Sequence, residues 1–209
     1  AIRGQLSGLG YSEACTIAFS DRETEATFEP DADPVIIRNP LSDKAPILRT
    51  SLIPSMLRSV QWNLNRGSRD LGFYEIAKTY PKEGEYRRLI LAATGLSESA
   101  NVHRASADFD FYRLKGDVEA LLGMFDVPAE GRVEDIPPYM HPGRSMRVGS
   151  VALLGELHAD ILKRFKLRQK VYIAVIAVEE LYRAGLRDVA AREIPKYPAV
   201  RRDLALLVD

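Results

Sequence analysis

The chain has 209 residues, 46% apolar and 28% charged, a composition that excludes disorder and membrane embedding and suffices for one good core, or one domain and a piece of another. Its 29 basic and 29 acidic residues cancel, which argues against a dedicated nucleic-acid-binding domain but leaves room for a local basic patch. No apolar run approaches the ~18 residues of a spanning helix, the opening does not read as a signal peptide, and the single cysteine, Cys15, excludes an internal disulfide framework and a Cys-rich zinc site, so the expected compartment is cytoplasmic.

The opening "AIRGQLSGLG" reads as the last turns of a helix whose beginning is missing, with Gly8 and Gly10 as C-cap glycines. "YSEACTIAFS" reads as a strand in which Cys15, Ile17 and Phe19 alternate with Ala14, Thr16 and Ala18. "DRETEATFEPDADP" reads as a polar connection, and "VIIRNPLSDKAP" as a short strand closed by Asn39-Pro40. An amphipathic helix is expected in "LRTSLIPSMLRSVQWNLNRG", with Ser51 as N-cap and Pro54 in the first turn, where its missing N–H costs nothing. Ile53, Met56, Leu57, Val60 and Leu64 share one stripe of that helix. Trp62, the one tryptophan of the chain, falls about 180° from the stripe, beside Ser55, Arg58 and Arg66.

"RDLGFYEIAKTYPK" and "YRRLILAATGL" read as strands, and "SESANVHRASADFD" as a loop. A second helix is expected from about Gly116–Asp117, with Val118, Leu121, Leu122 and Phe125 on one face. "YMHPGRSMRVGSVALLGELH" reads as a hairpin, "ADILKRFKL" as a short helix, and "KVYIAVIAVEELYRAG" as a long strand running into a polar turn. Strands dominate without a βαβα alternation. That pattern predicts an α+β fold, a largely antiparallel sheet with helices on one face. "KYPAVRRDLALLVD" reads as a proline-bounded linker leading into a strand, Leu204 to Val208. The expected organisation is a core domain over 1–194 and the start of an absent domain over 195–209.

Catalytic constellations are thin. His103, His141 and His158 show no HExxH spacing, and Glu156 with His158 at i, i+2 is a weak metal hint outweighed by an ordinary surface or capping histidine. The Pro-Gly of "MHPGRS", flanked by His141 and Arg144, reads as a hairpin turn. There is no GxSxG elbow, no Walker A pattern, and no basic activator beside Cys15. In "GLGYSE" the glycines close a helix and precede a strand, the reverse of a phosphate-cradling loop. Arg49, Arg58, Arg66 and Arg69 form an expected basic surface around the tryptophan helix; a solvated face is the ordinary reading, and Trp62 raises that of a contact surface.

The segments "GLGYSEACTIAFSD", "IIRNPLSDKAPILRTSLIPSMLRSVQWNLNRG", "GFYEIAKTYP", "HPGRS", "LLGELHADILKRFKL" and "KYPAVRRDLALLVD", in this order, resemble the bacterial phenylalanyl-tRNA synthetase beta subunit over essentially the whole chain. The region resembled is that subunit's catalytic-like core, and residues from about Tyr197 resemble the entrance to its C-terminal ferredoxin-like anticodon-binding domain. Departures are Ser55 and Ala77 where the family has glycine, Met146 for alanine and Ala159 for proline.

The resemblance implies the class II aminoacyl-tRNA synthetase fold, an antiparallel sheet flanked by helices. Its first motif, a helix and strand that build a subunit interface, corresponds to residues 1–19. Its second motif needs an arginine on a strand and a loop over ATP, but here only Gly67 to Gly72 separate the helix from "FYEIAKTY". Its third needs a Gly-rich turn ending in an arginine, which "IAVIAVEELYRAG" lacks. Activating an amino acid requires cations placed on phosphates as charge develops. The segment is therefore expected to hold no catalytic, cofactor-binding or metal-binding residue, with ATP and Mg used elsewhere in the whole enzyme. The resemblance also implies pairing with a catalytic alpha subunit, a second beta subunit in an α2β2 assembly, and tRNA as a partner of the whole enzyme. The residues expected at a subunit interface are Tyr11, Ile17, Arg58, Trp62 and Arg66. Two alternatives stand beside this reading: a stand-alone ATP-dependent ligase with an unrecognised nucleotide site, and an RNA-binding module acting through the Arg-rich helix face.

Overall fold

A computed structural model describes the chain except residues 99, 101, 103, 104, 128, 129, 189–201, 204 and 206–209. The first helix, α1 (Ile2–Gly8), ends where the glycines predict, with Gly10 at a φ of +93°. The single strand expected next is broken into β1 (Ser12–Glu13) and β2 (Phe19–Ser20). The polar connection contains a short helix, α2 (Arg22–Ala26), because the Asp21 side chain accepts the Thr24 N–H and caps it. The strand read in "VIIRNPLSDKAP" is reduced to isolated bridges, one of them between Ile36 and Ile47, and β3 (Ile47–Leu48) pairs with β2.

Helix α3 (Ile53–Leu64) starts one residue later than the Ser51 cap implies: Leu52 is the cap by backbone geometry, while Ser51 Oγ accepts the Ile53 N–H at 3.3 Å. Strands β4 (Leu71–Thr79) and β5 (Tyr86–Thr94) follow as expected, and the loop after them carries a two-stranded pair, β6 (Leu96–Glu98) and β7 (Ala107–Asp108). Helix α4 (Phe111–Leu122) begins well before Gly116, because Asp110 accepts the Arg113 N–H and caps it. Strands β8 (Met140–Val148) and β9 (Ala152–Leu157) form the expected hairpin, followed by α5 (Ala159–Arg164), β10 (Tyr172–Ala177) and α6 (Val178–Ala184). The polar turn expected after β10 is thus a helix. The expected strand at Leu204 and the unit from residue 195 fall almost entirely outside the described residues.

The hairpin corrects the reading of "HPGRS". Its turn is at residues 149–151, with Gly149 at a φ of +49°, whereas Pro142 and Gly143 lie within β8 where its register against β9 shifts. Gly155 on β9 makes that irregularity possible: at φ +157°, a Cβ there would lie 2.2 Å from Ser145 Oγ and 2.5 Å from the Arg144 carbonyl.

Six strands form one sheet in the order β1-β4-β5-β10-β9-β8, parallel between β1 and β4 and antiparallel elsewhere. The sheet is covered on both faces, not one. On β5, Leu89, Leu91 and Ala93 point into a core shared with α1, α4 and α6, while Ile90 and Ala92 point into a second core with α3 and α5. All five are 0% exposed. The unbroken apolar run "LILAA" is what a strand buried on both sides requires. On the α3 face, Ile53, Met56, Leu57 and Val60 pack in the core with Ile90, Ala92 and Ile173.

Two buried polar networks hold the N-terminal segment. On the α1 side, the Tyr11 hydroxyl donates to Asp117 on α4 at 2.8 Å. Burial pushes the Asp117 carboxyl above its usual range, against the hydrogen bond from Tyr11 and the Arg113 cation, and burial likewise pushes the Tyr11 hydroxyl up. On the α3 side, Glu75 of β4 pairs with Arg49 at 3.4 Å, with side chains only 4% and 5% exposed. Glu75 also accepts the Thr16 N–H at 3.1 Å and the Thr16 hydroxyl at 2.7 Å. Glu75→Ala leaves a buried guanidinium without its counter-ion, at an expected cost of about 3–5 kcal/mol. The double variant Arg49→Met/Glu75→Leu should be more stable than either single change in urea unfolding. A double variant that loses the sum of the two single losses would refute the pairing.

Candidate contact surface beside the tryptophan helix

The buried stripe of α3 leaves its opposite side free, and Trp62 stands there 55% exposed. The Arg66 guanidinium lies 3.5 Å from the centre of the Trp62 ring, while its Nη1 donates to the Trp62 carbonyl at 3.2 Å. One face of the indole is therefore stacked by a cation held from the next turn. Beside Trp62, Ser55, Ser59 and Asn63 occupy successive turns. Each donates back to a helix carbonyl: Ser55 to Leu52 at 3.1 Å, Ser59 to Ser55 at 3.2 Å, and Asn63 to Ser59 at 2.9 Å. The two hydroxyl donors are thus spent on the helix, while Asn63 keeps one amide N–H and its side-chain carbonyl oxygen.

The other wall comes from the segment between β1 and β2. The Ala14 N–H still bonds the Tyr74 carbonyl at 2.7 Å, continuing the pairing with β4. Then Glu75 takes both donors of Thr16, and Arg49 Nη1 donates to Thr16 Oγ1 at 2.7 Å. With Thr16 drawn inward, its neighbours Cys15 and Ile17 are exposed, Ile17 at 73%. Together with Phe19, which is 37% exposed, they face α3 across a groove of about 390 Å³ that Trp62, Arg58 and the small polar residues complete.

Of the five residues expected at an interface, Ile17, Arg58 and Trp62 line this groove, and Arg66 stacks against it. Tyr11 does not belong to it: it is 5% exposed, in the α1-side core and bound to Asp117. Arg49 is not part of a basic surface either, since it is 4% exposed and paired with Glu75. Arg58 is paired with Asp21 at 3.0 Å. Phe19 and Cys15 are the members that sequence reading passed over; their alternation with Ile17 was the available signal. The metal hint dissolves into local partners: Glu156 accepts from Arg144 at 2.7 Å, and His158 Nδ1 accepts the Asp160 N–H at 3.3 Å to cap α5. Among the described residues, no group of three or more His, Cys, Asp or Glu could hold a metal ion.

The family model of the phenylalanyl tRNA synthetase beta chain CLM domain matches residues 1–178, so the chain belongs to that family. Over the whole chain, it is 36% identical to the phenylalanine–tRNA ligase beta subunit of Symbiobacterium thermophilum and 30% identical to that of Syntrophus aciditrophicus. The chain spans about a quarter of the length of these relatives, 25% and 28%. Its fold is similar to that of a pyrrolysyl-tRNA synthetase from Desulfitobacterium hafniense, with a TM-score of 0.60 at 15% identity, over 87% of this chain and 66% of that one. A second structure of the same synthetase gives 0.59 at 13% identity, over 87% of this chain and 67% of that one. The fold is class II synthetase-like, a mostly antiparallel sheet flanked by helices, as the resemblance implied.

Asp21 ties the groove to α2. Partial burial works to raise its pKa, but the hydrogen bonds from Thr24 and the Arg58 cation outweigh it and hold the carboxyl below its ordinary value. A carboxyl depressed in the folded state stabilises above its unfolded pKa and loses that contribution as pH falls through the folded one. Asp21→Ala should therefore cost about 1 kcal/mol near neutral pH. The wild-type advantage should shrink as pH drops below about 4. Denaturant unfolding of both proteins at several pH values reads this, and an advantage independent of pH would contradict it.

Proposed function

We propose that the chain is a non-catalytic core module of the beta subunit of a cytoplasmic phenylalanine–tRNA ligase. It holds the catalytic alpha subunit through the surface around Trp62, in an α2β2 assembly with a second beta subunit. ATP-dependent charging of tRNA with phenylalanine, and the Mg it uses, then belong to other parts of the whole enzyme.

The observation that carries the reading is the filled sheet. The central strands β5 and β10 are buried by helices on both sides along most of their length, and the α3 stripe occupies most of one face, with a cavity of about 600 Å³ left beside Arg88, Val175 and Ala177. Strand β4 carries no arginine, and Arg183, the arginine of α6, is 72% exposed and bound to Glu180. Two cations, Arg88 of β5 and Arg147 of β8, line that cavity over β9 and β10, but both have partners in the chain: Arg88 lies 3.7 Å from Glu179, and Arg147 donates to the Asp135 carbonyl at 2.8 Å. The groove has the opposite character. It combines an aromatic anchor, an arginine stacked on it and the exposed apolar Ile17 and Phe19, the composition of a protein contact.

Co-expression of a tagged alpha subunit with a beta subunit carrying Trp62→Ala or Ile17→Asp tests the contact. Loss of an interface anchor is worth about 2 kcal/mol or more, so recovery of the beta subunit with alpha should fall at least about tenfold. Because Trp62 is half exposed, unfolding of the chain itself should change little. Undiminished assembly removes Trp62 from the interface. For the catalytic part, the chain alone should show no phenylalanine-dependent ATP–pyrophosphate exchange; turnover abolished by one local substitution would overturn the non-catalytic reading.

A further inference from the structure

We propose that a basic cleft at the C-terminal end of α3 binds the sugar–phosphate backbone of RNA. The proposal rests on the reading of the chain as part of a tRNA ligase and adds a contact that the groove around Trp62 does not supply. The cleft, about 650 Å³, lies where α3 meets the segment between α5 and β10. Arg69, Lys166 and Arg168 line it, together with the amides Gln61, Asn65 and Gln169, and no carboxylate does. In a chain whose charges balance at 29 against 29, that is a marked local excess.

The three cations have no ion pair and no side-chain hydrogen bond among the described residues. Cations nearby on α3 and α5 have partners: Arg58 pairs with Asp21, Arg164 with Glu23 and Lys163 with Asp160, while Arg66, just past α3, stacks on Trp62. Asp70, next to Arg69, accepts the Leu96 N–H and does not line the cleft. Attraction to helix carbonyls is the ordinary reason for cations at helix ends. Here backbone N–H groups already use those carbonyls: Gly67 bonds Leu64, Arg66 and Ser68 bond Asn63, and Lys166 bonds Lys163. The guanidinium and ammonium donors are left for an external acceptor.

The cleft is also held in shape. Gln61 Nε2 donates to the Phe165 carbonyl at 2.7 Å, joining α3 to the end of α5. Gln169 Nε2 donates to the Arg69 carbonyl at 2.9 Å and to Thr94 Oγ1 at 3.1 Å, fixing the backbone of one cation to β5. Leu167, 7% exposed, anchors the chain between Lys166 and Arg168. Lys166 itself sits at a φ of +52°, a conformation in which glycine is the ordinary residue.

Cations suit phosphates, and the amide oxygens of Gln61 and Gln169, whose nitrogens are engaged, are acceptors for ribose hydroxyls. Acceptors of that kind favour RNA over an acidic protein face, which offers mainly carboxylates. No aromatic side chain lines the cleft, so bases have nothing to stack on and the contact reads backbone, not sequence.

The test uses the alpha–beta complex with full-length beta carrying Arg69→Glu, Lys166→Glu and Arg168→Glu, and tRNA as the probe. The expected result is a salt dependence of binding shallower by about 2–3 in log–log slope, with binding at low salt weaker by about tenfold or more. Glutamine at the same three positions should flatten the slope similarly, excluding an effect of introduced acids. A control complex with Arg22, Arg38 and Lys44 changed to glutamate, three exposed cations outside the cleft, should keep the wild-type slope. An unchanged slope in the cleft variant, or an equal change in the control, overturns the proposal. So does loss of the alpha subunit with tRNA binding by the remaining complex unaltered, which would assign the cleft to a protein. Co-purification reports assembly separately, so failure of the RNA contact leaves the Trp62 surface to be judged by its own variants.

Discussion

The buried carboxylate of Glu75 decides where the N-terminal part of the chain lies. It sits on the α3 face of β4 between Phe73 and Ala77, among residues that are otherwise apolar. To be buried there it needs partners, and it finds a cation in Arg49 and two donors in Thr16. That requirement removes residues 15–18 from the sheet, since Thr16 is bound by a side chain and not by a strand ladder. It also places Arg49, whose N–H bonds the Ala18 carbonyl at 2.8 Å, where β3 must end and α3 begin. A second buried carboxylate, Glu25, takes over at that point and accepts the N–H groups of Thr50 and Ser51. The net stability of such a pair over an apolar replacement is small. What the two carboxylates fix is position.

Covering both faces of the sheet has a consequence for function. Strands β5 and β10 are covered along most of their length, leaving a cavity beside Arg88, Val175 and Ala177, and the two grooves of interest flank α3, the helix that fills most of one face. Its residues divide by angle. Ile53, Met56, Leu57 and Val60 are buried in the core; Ser55, Arg58, Ser59 and Trp62 face the groove; Gln61, Leu64 and Asn65 face the basic cleft. A helix that filled the sheet face less completely could not hold these two margins so firmly.

The elements with strong periodicity were legible: α3, β4, β5, β9, and the class II fold through the order of segments. The rest was hidden for physical reasons. Helix α4 starts at Phe111 within "DFDFYRL", where the loop read up to Asp110 ends, and its cap is a single side chain. Helix α6 buries only Val178 and Leu181, too few to declare a period. "HPGRS" carries Pro-Gly, the signature of a turn, yet it is a strand irregularity whose cause is Gly155 on a different strand. Arg49 looked like a surface arginine because its partner lies on β4, a contact no local pattern records. Tyr11 looked like an interface residue for the same reason, its hydroxyl being claimed by Asp117, far along the chain. Lys166 and Arg168 carry no signal of their own in the sequence, since only the fold places Arg69 beside them.

The exposure of Trp62 is best understood through what its neighbours withhold. A half-exposed indole on a solvated face would ordinarily be surrounded by polar groups competing for water. Here Ser55, Ser59 and Asn63 return their donors to the helix, and Arg66 covers one ring face while its Nη1 is held by the Trp62 carbonyl. One indole face is thereby covered, and the part left bare adjoins the apolar Ile17 and Phe19. Docking on such a surface loses little side-chain entropy and strips few hydrogen-bonded waters, the two costs that most often cancel the gain from buried area. A tryptophan kept only for the fold would gain more by turning into a core. This one instead stands at the rim of a groove whose opposite wall Glu75 holds in place, and that arrangement is what the proposed contact would use.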